Sequence, residues 1–221
     1  MEDKDTGRLE AFSDGVFAVA ITLLVLNIKI PGLDSPGQFL ADKDLWLLLS
    51  NQWPMLVAYT TSFATVGIMW INHNRLFQQI KHADTGLQLL NLLLLLIIVI
   101  LPVPTALSAE YLIRLDQHTV TIIYCSTFFL MSCSFDLLWY YAAYHNRLLG
   151  KDADKHEVMA ISQQYLFGPL GYSIAFGIAW INTPICIIFC FFLALFFALP
   201  ARSPRSLSAN RDSIHVSQEQ R

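Results

Sequence analysis

Polar side chains, Arg8, Ser13, Asp14 and Thr22 among them, interrupt residues 8–30, a stretch apolar enough to cross a bilayer. A charge in or beside hydrocarbon is costly, so an acidic group at such a place marks a functional site by default. At about 100° per residue, Val19, Thr22, Leu23 and Leu26 fall on one face of a helix. Asp14 lies well round the helix from Val19. The helix therefore offers a narrow, mostly apolar stripe, and a polar cluster that needs partners on another helix. Trp70, His73 and Asn74 are spaced i, i+3, i+4 and share a face. The expected arrangement is a hydrogen-bonded network of Arg8, Ser13, Asp14, Trp70, His73 and Asn74. In it Asp14 accepts from Trp70, His73 or Arg8. Such a network holds the first helix in place rather than touching an ion.

Other polar residues inside apolar runs carry weaker chemistry. Asp136, with His118, Ser132 and Ser134 along the same run, reads as a proton relay or as an acid capped by neighbouring hydroxyls, and the second reading is preferred. Asn91 is expected to bond across helices. Thr65-Val66-Gly67 resembles the core of a potassium filter. A filter needs a re-entrant loop of exposed carbonyls, and this triplet lies within a continuous apolar span. Cys125, Cys133, Cys186 and Cys190 all sit in apolar runs and read as free thiols. There is no nucleophile elbow, and no His/carboxylate pair at metal-ligand spacing. No catalytic residue, cofactor or resident metal is assigned.

These residues must be positioned by membrane helices. Of the 221 residues, 55% are hydrophobic and 14% charged, where soluble domains carry about 25% charged residues. A formal net charge of −3 implies no polybasic surface for nucleic acid. The pattern predicts an all-α integral membrane protein with spans at 8–30, 45–72, 86–108, 118–144, 161–181 and 185–199. A short tail at 1–7 precedes this domain of residues 8–200, and a Ser/Arg-rich, disordered tail at 201–221 follows. Pro102 and Pro104 are expected to kink or end the third span. Trp139, Tyr140, Tyr141 and Tyr144 form an expected interfacial belt. Six spans put both termini on one side. That side holds 11 of the 14 Lys and Arg residues, so the termini are expected in the cytoplasm.

Arg8, then Phe12-Ser13-Asp14-Gly15 running into Ile21-Thr22-Leu23-Leu24-Val25-Leu26, resembles the motif of the transmembrane protein 175 potassium-channel family. The segment Trp70-Ile71-Asn72-His73-Asn74-Arg75-Leu76-Phe77 is similar to that family's Trp-x-x-His segment. Elsewhere the resemblance is one of six-span architecture. It implies a homotetramer in a cytoplasmic membrane, with the first helix of each subunit lining a central pore that lacks a carbonyl filter. It implies an apolar constriction at Val19, a selectivity role for Thr22, and further lining by Leu23 and Leu26. Val19 is smaller than the Ile or Leu that many members carry, and Asn27 stands where many carry an acidic residue. The implied partners are transient K⁺, with Na⁺ and H⁺ more weakly, the lipid bilayer, and three further copies of the chain.

Independently of the resemblance, rings of apolar side chains at Val19, Leu23 and Leu26 can gate by dewetting. The same stripe also suits a packing seam of a bundle. Two rival functions follow from the residues. A secondary transporter or proton-coupled carrier normally shows internal repeats or broken helices with midplane charges, and Asp136 is the single candidate. A membrane-embedded enzyme would use His73, Asp14 and Ser13 as an acid–base set.

Overall fold

The computed structural model describes residues 6–28, 46–47, 49–50, 53–111, 118–150 and 155–198. In chain order its helices are α1 (Gly7–Leu23), α2 (Trp53–Gln79), α3 (Thr85–Ile100), α4 (Pro102–Tyr111), α5 (His118–Ala143), α6 (Lys155–Ala179) and α7 (Thr183–Ala198). The expected loop at 31–44 and the tail at 201–221 lie outside the described residues. Thr6 is buried and Gly7 is already helical, so ordered structure begins inside the expected 1–7 tail.

Among the described residues, three stretches are long and apolar enough to cross a membrane: Gly7–Leu26, Thr85–Ser108 and Thr119–Asn146. The apolar helix Ile188–Ala198 is shorter. α1 packs on α2 and α3, α5 packs on α3, α4 and α6, and α7 packs on α6 and α2.

The local chemistry accounts for the ends of these helices. Asp84 caps α3 by accepting from the Leu87 amide at 2.8 Å, which satisfies one of the donors a helix start leaves open. Leu101 separates α3 from α4, with Pro102 opening the second helix, a position where its missing N–H costs nothing. The Asn182 side chain accepts from the Ile185 amide at 3.1 Å at the start of α7.

Two elements differ from the sequence expectation. α2 continues to Gln79, through residues expected to be a polar connection. Leu76, Phe77 and Ile80 are fully enclosed there, so the polar letters of 72–79 hide an apolar face that holds the helix together. The aromatic belt is also divided. Tyr140 and Tyr144 are exposed, but Trp139 is buried and donates to Ser162 Oγ at 2.8 Å. Tyr141 turns to Asp84, donating at 2.8 Å.

That second contact belongs to a junction at one end of the bundle. Beyond the end of α5, His145 and Asn146 take φ of 53° and 54°, a left-handed bend that asparagine tolerates better than most residues. The bend returns the chain so that Lys81 N donates to Leu148 O at 2.9 Å, and Arg147 meets Asp84 at 2.7 Å. A Cβ at Gly86 would run into the Tyr141 hydroxyl, so this approach requires glycine. Burial acts to raise the Asp84 carboxyl, but the Leu87 amide, the Tyr141 hydroxyl and the Arg147 guanidinium outweigh it and hold the group below the usual carboxylate range.

Candidate pore helix and its polar anchor

α1 has two faces. Ser13, Phe17, Ala20 and Leu24 are buried and recur at i, i+4, i+7 and i+11, the stripe by which a helix packs on its neighbours. Opposite them, Phe12, Val19, Leu23 and Leu26 are exposed, Val19 at 54% and Leu26 at 75%, against 1% for Leu24. Thr22 is exposed as well. A Cβ at Gly15 would meet nothing within 4 Å. The residues expected to line a pore are thus among those the chain leaves uncovered, with Ala11, Ala18 and Val25 exposed beside them.

The end of α1 refines their geometry. At Leu24 the helix tightens into a 3-10 turn, Leu24–Asn27. A 3-10 helix turns once in three residues, so side chains at i and i+3 eclipse. Leu23 and Leu26 therefore stack one above the other. The Thr22 hydroxyl donates to the Val19 carbonyl at 2.9 Å. Its hydrogen is spent within the helix, while its oxygen keeps acceptor capacity.

The polar residues expected as one network form two. At the surface, Trp70 Nε1 donates to Asp14 Oδ1 at 2.7 Å, joining α2 to α1. In the interior, His73 Nε2 meets Asn91 Oδ1 at 2.9 Å. Asn91 Nδ2 donates to Ser13 Oγ at 2.8 Å, and Ser13 donates to the Leu9 carbonyl at 2.8 Å. This chain crosses α2, α3 and α1, and His73, Asn91 and Ser13 are all buried. His73 lies between Phe17, edge-on at 5.4 Å, and Phe77, stacked at 4.4 Å.

Arg8 is exposed and makes no ion pair with Asp14 among the described residues. Asn74 is half-buried and joins neither network among the described residues. Its neighbour Asn72 is the buried one. It donates to the Phe197 carbonyl at 3.1 Å, and its own carbonyl accepts from the Tyr165 hydroxyl at 3.1 Å.

Thr65-Val66-Gly67 is helical, and the Thr65 hydroxyl donates back to the Thr61 carbonyl at 2.8 Å. Asp136 lines a cavity of about 520 Å³ with Cys133, Tyr140 and Ser162. The expected hydroxyl caps do not reach it among the described residues, and Ser134 donates instead to the Leu130 carbonyl at 2.9 Å.

A family model described as the endosomal/lysosomal potassium channel TMEM175 matches residues 8–102, which hold both networks and the exposed α1 face. A potassium channel of Chamaesiphon minutus is 43% identical over 198 residues, 90% of this chain and 96% of the relative. A potassium channel of Streptomyces collinus is 39% identical over 195 residues, 87% and 91% of the two chains. The crystal structure of a lysosomal potassium-selective channel TMEM175 homolog from C. minutus superposes with a TM-score of 0.77 at 40% identity, covering 90% of this chain and 98% of that one. With similarity running through nearly its whole length, and the family's matched region carrying the divided first helix, the chain belongs to the TMEM175 family.

Proposed function

We propose that this chain is one subunit of a homotetrameric, potassium-preferring cation channel with six transmembrane helices per subunit. The two bacterial relatives that match it over nearly their whole length are named potassium channels, and it is not an enzyme. The observation that carries the pore assignment is the division of α1. One stripe is locked against α2 and α3, while Val19, Thr22, Leu23 and Leu26 stay uncovered by the chain itself. A hydrophobic face of this kind calls for an occupant, and four copies around an axis supply one while leaving a narrow lumen.

In this arrangement Val19 forms the constriction, and the eclipsed Leu23 and Leu26 extend an apolar neck that empties of water when narrow. Thr22 presents its oxygen to a passing cation, because its hydrogen is held by the Val19 carbonyl. K⁺ passes without a resident site, and Na⁺ and H⁺ pass more weakly. Asp14–Trp70 and His73–Asn91–Ser13 orient the helix and do not touch the ion. The distribution of Lys and Arg supports both termini in the cytoplasm and the channel in a cytoplasmic membrane.

The test is purified protein in a planar bilayer under a potassium/sodium gradient. The expected result is a unitary current reversing toward the potassium equilibrium potential. A current that saturates like turnover, or that requires a proton gradient, would overturn the channel in favour of a transporter.

A further inference from the structure

Cys125 on α5 and Cys186 and Cys190 on α7 play no part in the pore. All three are buried free thiols. Their sulfurs lie within 4.8 Å of one another, Cys125 Sγ standing 3.2 Å from Cys186 and 4.0 Å from Cys190. Cys186 and Cys190 are one turn apart and so face α5 together. Cys186 Sγ also donates to the Ala175 carbonyl of α6 at 3.2 Å, and beside the sulfurs lies an unsatisfied group. The Tyr172 hydroxyl of α6 is buried without a hydrogen-bond partner among the described residues, and it lies within electrostatic range of Cys125 and Cys190. A buried cysteine is ordinarily a small hydrophobe. Packing alone gives no reason for three sulfurs to converge beside a stranded hydroxyl.

We infer that this cluster binds copper(I) through the three sulfurs and staples α5 to α7. Sulfur donors select soft ions. A closed zinc site and an iron–sulfur cluster each take four protein ligands, and a three-ligand zinc site keeps a water in the fourth position; Cys133 lies outside the cluster. At a metal–sulfur distance of about 2.3 Å, as in zinc thiolates, the sulfurs of a trigonal complex stand about 4.0 Å apart. Closure needs only a modest opening of the Cys125–Cys186 contact. The ligating form of cysteine is the thiolate, so each sulfur that binds gives its proton to water as copper(I) enters, and binding tightens as pH rises.

The test uses the full chain, reduced, in detergent micelles, titrated with copper(I) against the chromogenic chelator bathocuproine disulfonate. The expected result is one copper retained per chain, with a copper K-edge spectrum of three-coordinate sulfur. Cys133→Ser should retain it and Cys186→Ala should lose it. Retention by Cys186→Ala, or surrender of all copper by the unaltered chain, would overturn the site. So would a spectrum of nitrogen or oxygen ligands. A disulfide between Cys125 and Cys186 in the protein as purified would overturn it too, and thiol counting detects this. The spectrum of the unaltered chain decides the matter even where a variant fails to fold.

Discussion

Trp70 Nε1 and Asp14 Oδ1 stand 2.7 Å apart and join α1 to α2 at one point on its exposed flank. The geometry is that of a charge-assisted hydrogen bond, about twice as strong as a neutral one. Asp14→Ala removes the acceptor and leaves the indole donor without a partner, which costs roughly 1–3 kcal/mol. The expected outcome is a lower yield and melting temperature of the assembled channel, with potassium preference retained in the channels that form. Trp70→Phe should cost a similar amount, and the double variant less than the sum. Normal assembly of Asp14→Ala with loss of potassium preference would make the carboxylate an ion ligand instead.

The interior chain has a different sensitivity. Asn91 serves His73 with its carbonyl and Ser13 with its amide. Asn91→Leu strands both partners, and Ser13→Ala strands only one amide hydrogen. Polar pairs between membrane helices average about 0.6 kcal/mol, because the separated helices also find partners. Asn91→Leu should therefore lower the thermal midpoint in micelles more than Ser13→Ala. Equal shifts would mean that the two bonds are not coupled through Asn91.

Much of α1 was legible in its letters, because a helical period sorts residues onto faces without knowledge of the neighbours. Val19, Leu23 and Leu26 separate from Leu24 on that ground alone. The partner of His73 was not legible. Asn91 lies 18 residues away on another helix, and only the packing of α2 on α3 brings the two together. The same reason separates Asn72 from Asn74. Asn74 shares the face of Trp70 while Asn72 stands about 200° round the helix from it, and only the neighbours of α2 decide which is enclosed. The tightening at Leu24 leaves no mark in an apolar run, since leucine and valine suit either winding.

Asp84 gives a pH signature outside the membrane spans. Its folded carboxyl lies below the ordinary value near 3.9, so its contribution to stability is fully present above that value. The contribution is lost as pH falls through the lower, folded value. Arg147 is half-exposed, so salt screens part of its share. Thermal midpoints measured downward from about pH 5 should fall more steeply for the unaltered chain than for Asp84→Asn. Parallel curves would remove Asp84 from the acid response.

Orientation is tested by labelling. A tag at either terminus should be reached only from the cytoplasm. A cysteine at Asp34 or Asp116 should be labelled only from outside. Labelling of the C-terminus from outside would end the six-span arrangement, since six spans return the chain to its starting side.

The pore face itself is tested by three substitutions on adjoining positions. If four copies of Val19 form the neck, a cation's barrier there is mainly the loss of its hydration water. Val19→Asn puts hydrogen-bonding groups into the ring, water remains, and unitary conductance should rise. Leu24 is enclosed against the rest of the chain at 1% exposure. Leu24→Asn buries an amide without a partner, at roughly 1–3 kcal/mol by protein mutational measure. It should lower the yield of assembled channel and leave unitary conductance near that of the unaltered protein. Thr22→Val keeps the side-chain shape and removes the oxygen proposed to face the ion path. Potassium over sodium preference should fall while the pore still conducts. Single-channel currents and bi-ionic reversal potentials for the three variants read all of these effects together. If Leu24→Asn raised conductance and Val19→Asn left it unchanged, the lumen would lie on the face now packed against α2 and α3, and the assignments of Val19 and Thr22 would fail together.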